Sequence, residues 1–144
     1  MEIPWEKRYV QDAAGTVRGT EERIPAVKVR FSYGERTTPA VLGLIDSGAD
    51  GLLLSKEYAD FFGIDLGSLD EVDSKGAGGD FKRYVFKSIN VTIMGIGETF
   101  EVEASFTNST EFPFMPLLGI KAVFHKFKIT VDAQAKKFIF EPYD

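Results

Sequence analysis

One stretch constrains this chain more than any other. The apolar run Val41-Leu42-Gly43-Leu44-Ile45 drives straight into Asp46, and Ser47, Gly48 and Ala49 follow before a second acid, Asp50. A strand that ends this way delivers a carboxylate from a dry interior onto a tight turn. That is an unfavourable place for a charge unless hydrogen bonds or function hold it there.

The surrounding sequence reads as strands. Val27, Val29 and Phe31 alternate with Lys28 and Arg30, the period of a half-buried strand. Tyr33-Gly34-Glu35-Arg36 is a hairpin turn, and Thr37 to Ile45 is the return strand. After the Asp46 turn, Leu52-Leu53-Leu54 is a short buried strand. Ser55 is placed to cap a short helix, Lys56 to Phe62, that buries Tyr58, Phe61 and Phe62. Gly63 ends that helix, and residues 64–70 are a linker. Gly76, Ala77, Gly78 and Gly79 form a flexible hairpin tip. Ile89, Val91 and Ile93, then Phe100, Val102, Ala104 and Phe106, alternate again. Leu117-Leu118-Gly119 is an apolar pair closed by glycine, followed by one or two helical turns over Ile120 to His125. Phe127, Ile129 and Val131 form one closing strand, and Phe138-Ile139-Phe140 the last. The fold class is all-β, a closed or partly open barrel with one or two short helices. Residues 1–23 are an N-terminal arm with one strand, and 24–144 are the domain proper.

Composition narrows the function. A chain of 144 residues is one domain, and 44% hydrophobic content with thirteen Phe is enough for a core. The net charge of −5 gives no electrostatic reason to expect nucleic acid. There are no cysteines, hence no thiolate zinc site, and one histidine cannot build a multi-His metal site. No apolar run approaches the roughly 18 residues that span a bilayer. The expectation is a cytoplasmic domain with no metal and no cofactor.

Asp46-Ser47-Gly48-Ala49-Asp50 after an apolar strand, a glycine-rich tip about thirty residues on, and Leu117-Leu118-Gly119 before a short helix occur here in that order. Together they resemble a subunit of the retropepsin-like aspartic proteases. The resemblance runs from about Ile24 to the end, and is greatest to the small prokaryotic retropepsin-like proteins. It implies that Asp46 is the catalytic carboxylate and that Ser47 braces the active-site turns across a dimer axis. Gly48 and Ala49 complete the turn, and Leu118 and Gly119 pack behind it. Asp50 bonds the substrate backbone, a role compatible with a purely structural one. Gly76, Ala77, Gly78 and Gly79 form the flap over the peptide.

The chemistry fits those roles. Two adjacent carboxyls cannot both ionise cheaply, so one is a general base toward water while the other stays protonated and polarises the scissile carbonyl. The chain has one Asp-Ser-Gly, so the second carboxylate comes from a second copy, and the active form is a homodimer acting on peptide or unfolded protein. Two positions depart from the family pattern. Ala77 stands where a larger apolar residue is common, and Ile120 stands where relatives carry a basic residue that Lys121 either replaces or does not. The rival reading is a non-catalytic dimeric module on the same fold that binds peptide or protein. A calcium loop from Asp46 to Glu57 is disfavoured by Gly48 at its third position and by the strand-like flank before it. Lys82-Arg83 is a solvated strand face or flap flank, with a preference for acidic substrates as the alternative.

Overall fold

The computed structural model describes residues 1–11, 17–76, 79–109 and 115–143. Strands β1 (Glu2–Pro4), β2 (Glu6–Gln11) and β3 (Val17–Ile24) come first. Strand β4 (Ala26–Tyr33) buries Val27, Val29 and Phe31 completely and exposes Lys28 and Arg30, as period-two alternation requires. The return strand divides into β5 (Arg36–Thr37) and β6 (Val41–Ile45). Pro39 between them has no amide hydrogen to give a ladder. Thr38 turns inward instead. Its amide donates to the Phe31 carbonyl at 2.9 Å, and its hydroxyl accepts from the Phe31 amide at 3.0 Å.

Strand β7 (Leu52–Ser55) runs directly into α1 (Lys56–Phe62). Ser55 stands at the expected cap position, but its hydroxyl makes no capping bond; the residue is still the last rung of the β7 ladder, opposite Thr107. Gly63 ends the helix at φ +73°, as expected of a left-handed residue. Phe62 is buried, Tyr58 is half-buried, and Phe61, expected inside, is 40% exposed. Consecutive helical residues point about 100° apart, so Phe61 and Phe62 cannot share one face. The expected linker contains a 3-10 turn at Leu66–Ser68, with Asp65 accepting from the Gly67 amide.

Strands β8 (Asp70–Gly76) and β9 (Gly79–Ile93) form a long hairpin, followed by β10 (Glu98–Thr107) and the two-residue β11 (Leu117–Leu118). A single π-helical turn at Ile120–Phe124 comes next, then β12 (Phe127–Asp132) and β13 (Lys137–Pro142). The apolar stretch from Phe112 to Pro116 reads from sequence as core and dimer packing; its Phe112, Pro113 and Phe114 lie outside the described residues.

The strand order β4-β6-β11-β7-β10-β9 returns to its start, because β9 also pairs with β4 from Val29↔Ile93 to Ser32↔Asn90. Six strands therefore close a barrel. Closure removes the unpaired edges that would otherwise template aggregation. Strand β8 hangs on β9 outside the ring, and β5 on β4. A second sheet, β1-β13-β12, carries Ile3, Phe127, Phe138 and Phe140 into the same core cluster. Phe100 of β10 meets Phe127 at 5.9 Å between ring centroids, tying that sheet to the barrel. The first 23 residues hold more strand than the sequence pattern suggested. Strands β2 and β3 form a polar two-stranded ribbon with no apolar period to betray it, and directly opposed Arg8 and Glu22 meet across it at 2.8 Å.

One irregularity sets which face of the long hairpin points where. Between Val102↔Ile89 and Ala104↔Phe86, β10 advances two residues while β9 advances three. The extra residue is a bulge in β9. It sends Phe86 as well as Ile89 into the core, Phe86 against Phe106 and Tyr33. Toward the tip, the core-side row is therefore even-numbered and Phe81 and Arg83 face the other way.

If Phe127 joins the two sheets, Phe127→Ala lowers unfolding free energy by about 3–5 kcal/mol. Urea unfolding should show a lower midpoint with an unchanged slope. A loss under about 1 kcal/mol would mean that the terminal sheet does not share the barrel's core.

Candidate active site

The turn at Asp46 is assembled from two distant segments. Leu118 pairs with Ile45 of β6 on one side and with Leu52 of β7 on the other. Strand β11 thus fills the gap between the strands that lead into and out of the turn. The Leu118 carbonyl accepts from the Asp46 amide at 3.1 Å. The next three amides of that segment all donate to the turn. Gly119 bonds the Gly51 carbonyl at 3.0 Å, Ile120 the Ala49 carbonyl at 2.9 Å, and Lys121 the Asp50 carbonyl at 2.8 Å. These amides stand at the start of the π-helical turn, where a helix has no partners of its own for them.

Gly119 is required by space. A Cβ there would lie 2.3 Å from the Ala49 carbonyl oxygen and 2.7 Å from that of Gly51. Both obstacles are backbone and cannot swing aside.

Asp46 itself is half-buried. Its Oδ1 accepts from the Gly48 amide at 2.8 Å, and its carbonyl accepts from the Ala49 amide at 3.1 Å. These bonds orient the carboxylate, and Gly48 leaves room for them: a Cβ there would sit 3.1 Å from Asp46 Oδ1. Ser47 is exposed, and among the described residues its hydroxyl has no partner within the chain. Asp50 is exposed, and its Oδ2 lies 3.4 Å from Lys121 Nζ. Lys121, rather than Ile120, supplies the cation beside the turn. Both members of that pair are more than half exposed, so it contributes little to stability.

The turn floors a cleft of about 640 Å³ whose far wall is the β8–β9 hairpin. Of the expected site residues, Asp46, Gly48, Ala49, Asp50 and Gly79 line it. Leu118 and Gly119 stand behind the turn and hold it. Gly76 pairs with Gly79 at the end of the hairpin ladder, and Gly79 has φ +111°. Ala77 and Gly78 lie outside the described residues.

Strand register explains the cleft's chemistry. Leu44, Leu117, Leu53 and Ser105 stand side by side across β6, β11, β7 and β10. All but Ser105 are half-buried, and all four line the cleft. The next row, Ile45, Leu118, Leu52 and Ala104, is buried in the core. Leu53, expected wholly inside, therefore belongs to an apolar cleft floor. Ser74, Phe81 and Arg83 of the hairpin complete the wall; the sequence offered Lys82-Arg83 only as a pair, a solvated face or flap flank with acidic substrates as the alternative, and gave Ser74 and Phe81 no site role. The bulge in β9 was the missing signal. Among the described residues, no three His, Asp or Glu side chains converge as metal ligands, and no helix is long and apolar enough to cross a membrane.

No family model matches the sequence, and no curated protein matches it. Its backbone does find a counterpart among solved structures. A retropepsin-like aspartic protease from Rickettsia conorii superposes with a TM-score of 0.58 at 19% identity, covering 96% of this chain and 97% of that one. The chain has a retropepsin-like fold. Coverage that high extends the likeness beyond the barrel to the terminal sheet. Within this retropepsin-like fold, the close-packed Gly119 makes a sharp test of the turn. Gly119→Ala should cost about 3 kcal/mol or more. Gly34→Ala, at φ +60° with nothing within 4 Å, should cost about 1 kcal/mol. Equal losses in thermal or urea unfolding would show that the turn yields to the added methyl.

Proposed function

We propose that the protein is an aspartic endopeptidase that works as a homodimer, each subunit giving Asp46 to one shared site. The observation that carries this reading is Asp46 itself. It is a half-buried carboxylate at the end of a barrel strand, held by the Gly48 amide and opening into a peptide-sized cleft. The retropepsin-like fold adds support, as does the single Asp-Ser-Gly per chain. The exposed Ser47 hydroxyl, without a partner among the described residues, is placed to bond a second copy.

In this reading the paired carboxyls share one proton and titrate as a unit. The ionised one takes a proton from water as the water oxygen bonds the scissile carbonyl carbon. The protonated one hydrogen-bonds the carbonyl oxygen, stabilising the tetrahedral intermediate. Collapse breaks the C–N bond, and the nitrogen leaves with a proton from the dyad. Asp50, Gly76, Ala77, Gly78 and Gly79 bind the peptide backbone, the last four as a flap whose glycines supply freedom to open. Leu44, Leu53 and Leu117 receive apolar side chains of an extended substrate. Residues 1–23 act as an arm whose first strand is docked in the terminal sheet of the domain of residues 24–144, and the working compartment is the cytoplasm.

The test is digestion of an unstructured protein across roughly pH 4 to 7, with Asp46→Asn run alongside and solution mass measured. Native protein of dimeric mass should cut, and the variant should lose at least about a hundredfold in rate. Equal cutting by both, or cutting by a strict monomer, would overturn the reading. No cutting by a folded dimer would leave the binding module.

A further inference from the structure

Lys82 and Arg83 are neighbours in sequence and opposites in the fold. Lys82 is exposed and forms an ion pair with Glu71 across the β8–β9 ladder. Arg83, on the other face of β9, is half-buried and lines the cleft. Its Nε donates to Ser74 Oγ at 2.8 Å, and its Nη1 donates to Ser105 Oγ at 2.9 Å. Ser74 stands on β8 and Ser105 on β10, so the guanidinium is gripped from both flanking strands. Ser105 is only 7% exposed, which fixes its hydroxyl as an anchor.

A guanidinium carries five N–H groups. Two are used, leaving one on Nη1 and both on Nη2. With Ser105 on the outer Nη1 hydrogen, one remaining N–H of Nη1 and one of Nη2 run parallel and form the end-on edge that a carboxylate engages through two bonds. Other basic side chains offer a contrast: those without a carboxylate, such as Arg23 and Arg36, are exposed and donate to a backbone carbonyl. Arg8, Lys82, Lys121 and Lys137 each meet a carboxylate of this chain. Arg83 is half-buried, yet among the described residues no carboxylate lies within ion-pair distance of it. Glu103 and Asp80 line the same cleft without pairing with it. A half-buried permanent cation with only hydroxyl partners is left short of counter-charge.

We propose that Arg83 is a specificity-determining residue that receives an aspartate or glutamate side chain of the bound peptide. The substrate class is then an extended segment with apolar side chains over Leu44, Leu53 and Leu117 and one acid at the hairpin wall. This assignment rests on reading the cleft as a peptide site, and its test separates recognition from cleavage.

Asp46→Asn protein, which retains peptides uncut, is immobilised and offered a random hexapeptide library, with captured peptides sequenced by mass spectrometry. Asp and Glu should be enriched about tenfold at one position, the size of one charge-assisted contact. Adding Arg83→Gln should abolish the enrichment, and Arg83→Glu should replace it with Lys and Arg. Arg83→Lys keeps the charge without the fork and should retain only a few-fold enrichment. If Arg83→Gln does not fold, that graded loss decides. No acidic enrichment in the parent protein, or enrichment unchanged in either Arg83→Gln or Arg83→Lys, would overturn the assignment. Acid-selective capture without digestion by native protein would retire the hydrolytic reading and leave Arg83 in its role. Digestion without acid selection would do the reverse.

Discussion

The structure depends on a short segment threaded between two others. Strand β11 is two residues long, yet it is the only link between β6 and β7 among the described pairings, and the barrel is closed only with it in place. The four bonds that follow, from the Leu118 carbonyl and the Gly119, Ile120 and Lys121 amides, turn a flexible Asp-Ser-Gly loop into a fixed platform. Each is a backbone bond of modest net worth. Leaving such a group unpaired where water cannot reach it costs more than the bond contributes when made. The turn and the inserted segment therefore stand or fall together. That mutual dependence holds a carboxylate at the mouth of an apolar interior.

Much of this was legible in the sequence, and the reason differs from element to element. Strand β4 announces itself because one face is buried and the other wet, which writes alternation into Val27, Val29 and Phe31. Gly63 and Gly34 are visible because a positive φ leaves few alternatives to glycine. The Asp46 turn is visible because a carboxylate after five barrel residues needs an explanation. The ribbon of β2 and β3 escaped because it is polar and held by cross-strand charge, which leaves no period to count. The split between β5 and β6 is visible in hindsight at Pro39, but Thr38's inward clasp is a tertiary fact.

The candidate site was legible where it is made of backbone-shaping residues and illegible where it is made of side-chain direction. Gly48, Leu118 and Gly119 hold the turn because of what they lack or where they insert. Leu53 and Arg83 belong to the cleft only because of register, and register depends on partners far along the chain. Leu53 reads as core from its neighbours Leu52 and Leu54; pairing with Ser105 and Leu117 puts it on the open face. Arg83 shares odd numbering with Ile89, Val91 and Ile93, so uninterrupted alternation would send it inward with them.

The bulge in β9 has a consequence for how such a cleft can change over evolutionary time. A substitution in the hairpin alters one side chain on one face. Deleting a single residue at the bulge would restore simple alternation and exchange the two faces of everything between it and the tip. Phe81 and Arg83 would leave the cleft and Lys82 and Tyr84 would enter it, with no codon among those four rewritten. The wall thus holds two chemistries in one stretch of chain, and a small frame-preserving deletion is the step that trades one for the other.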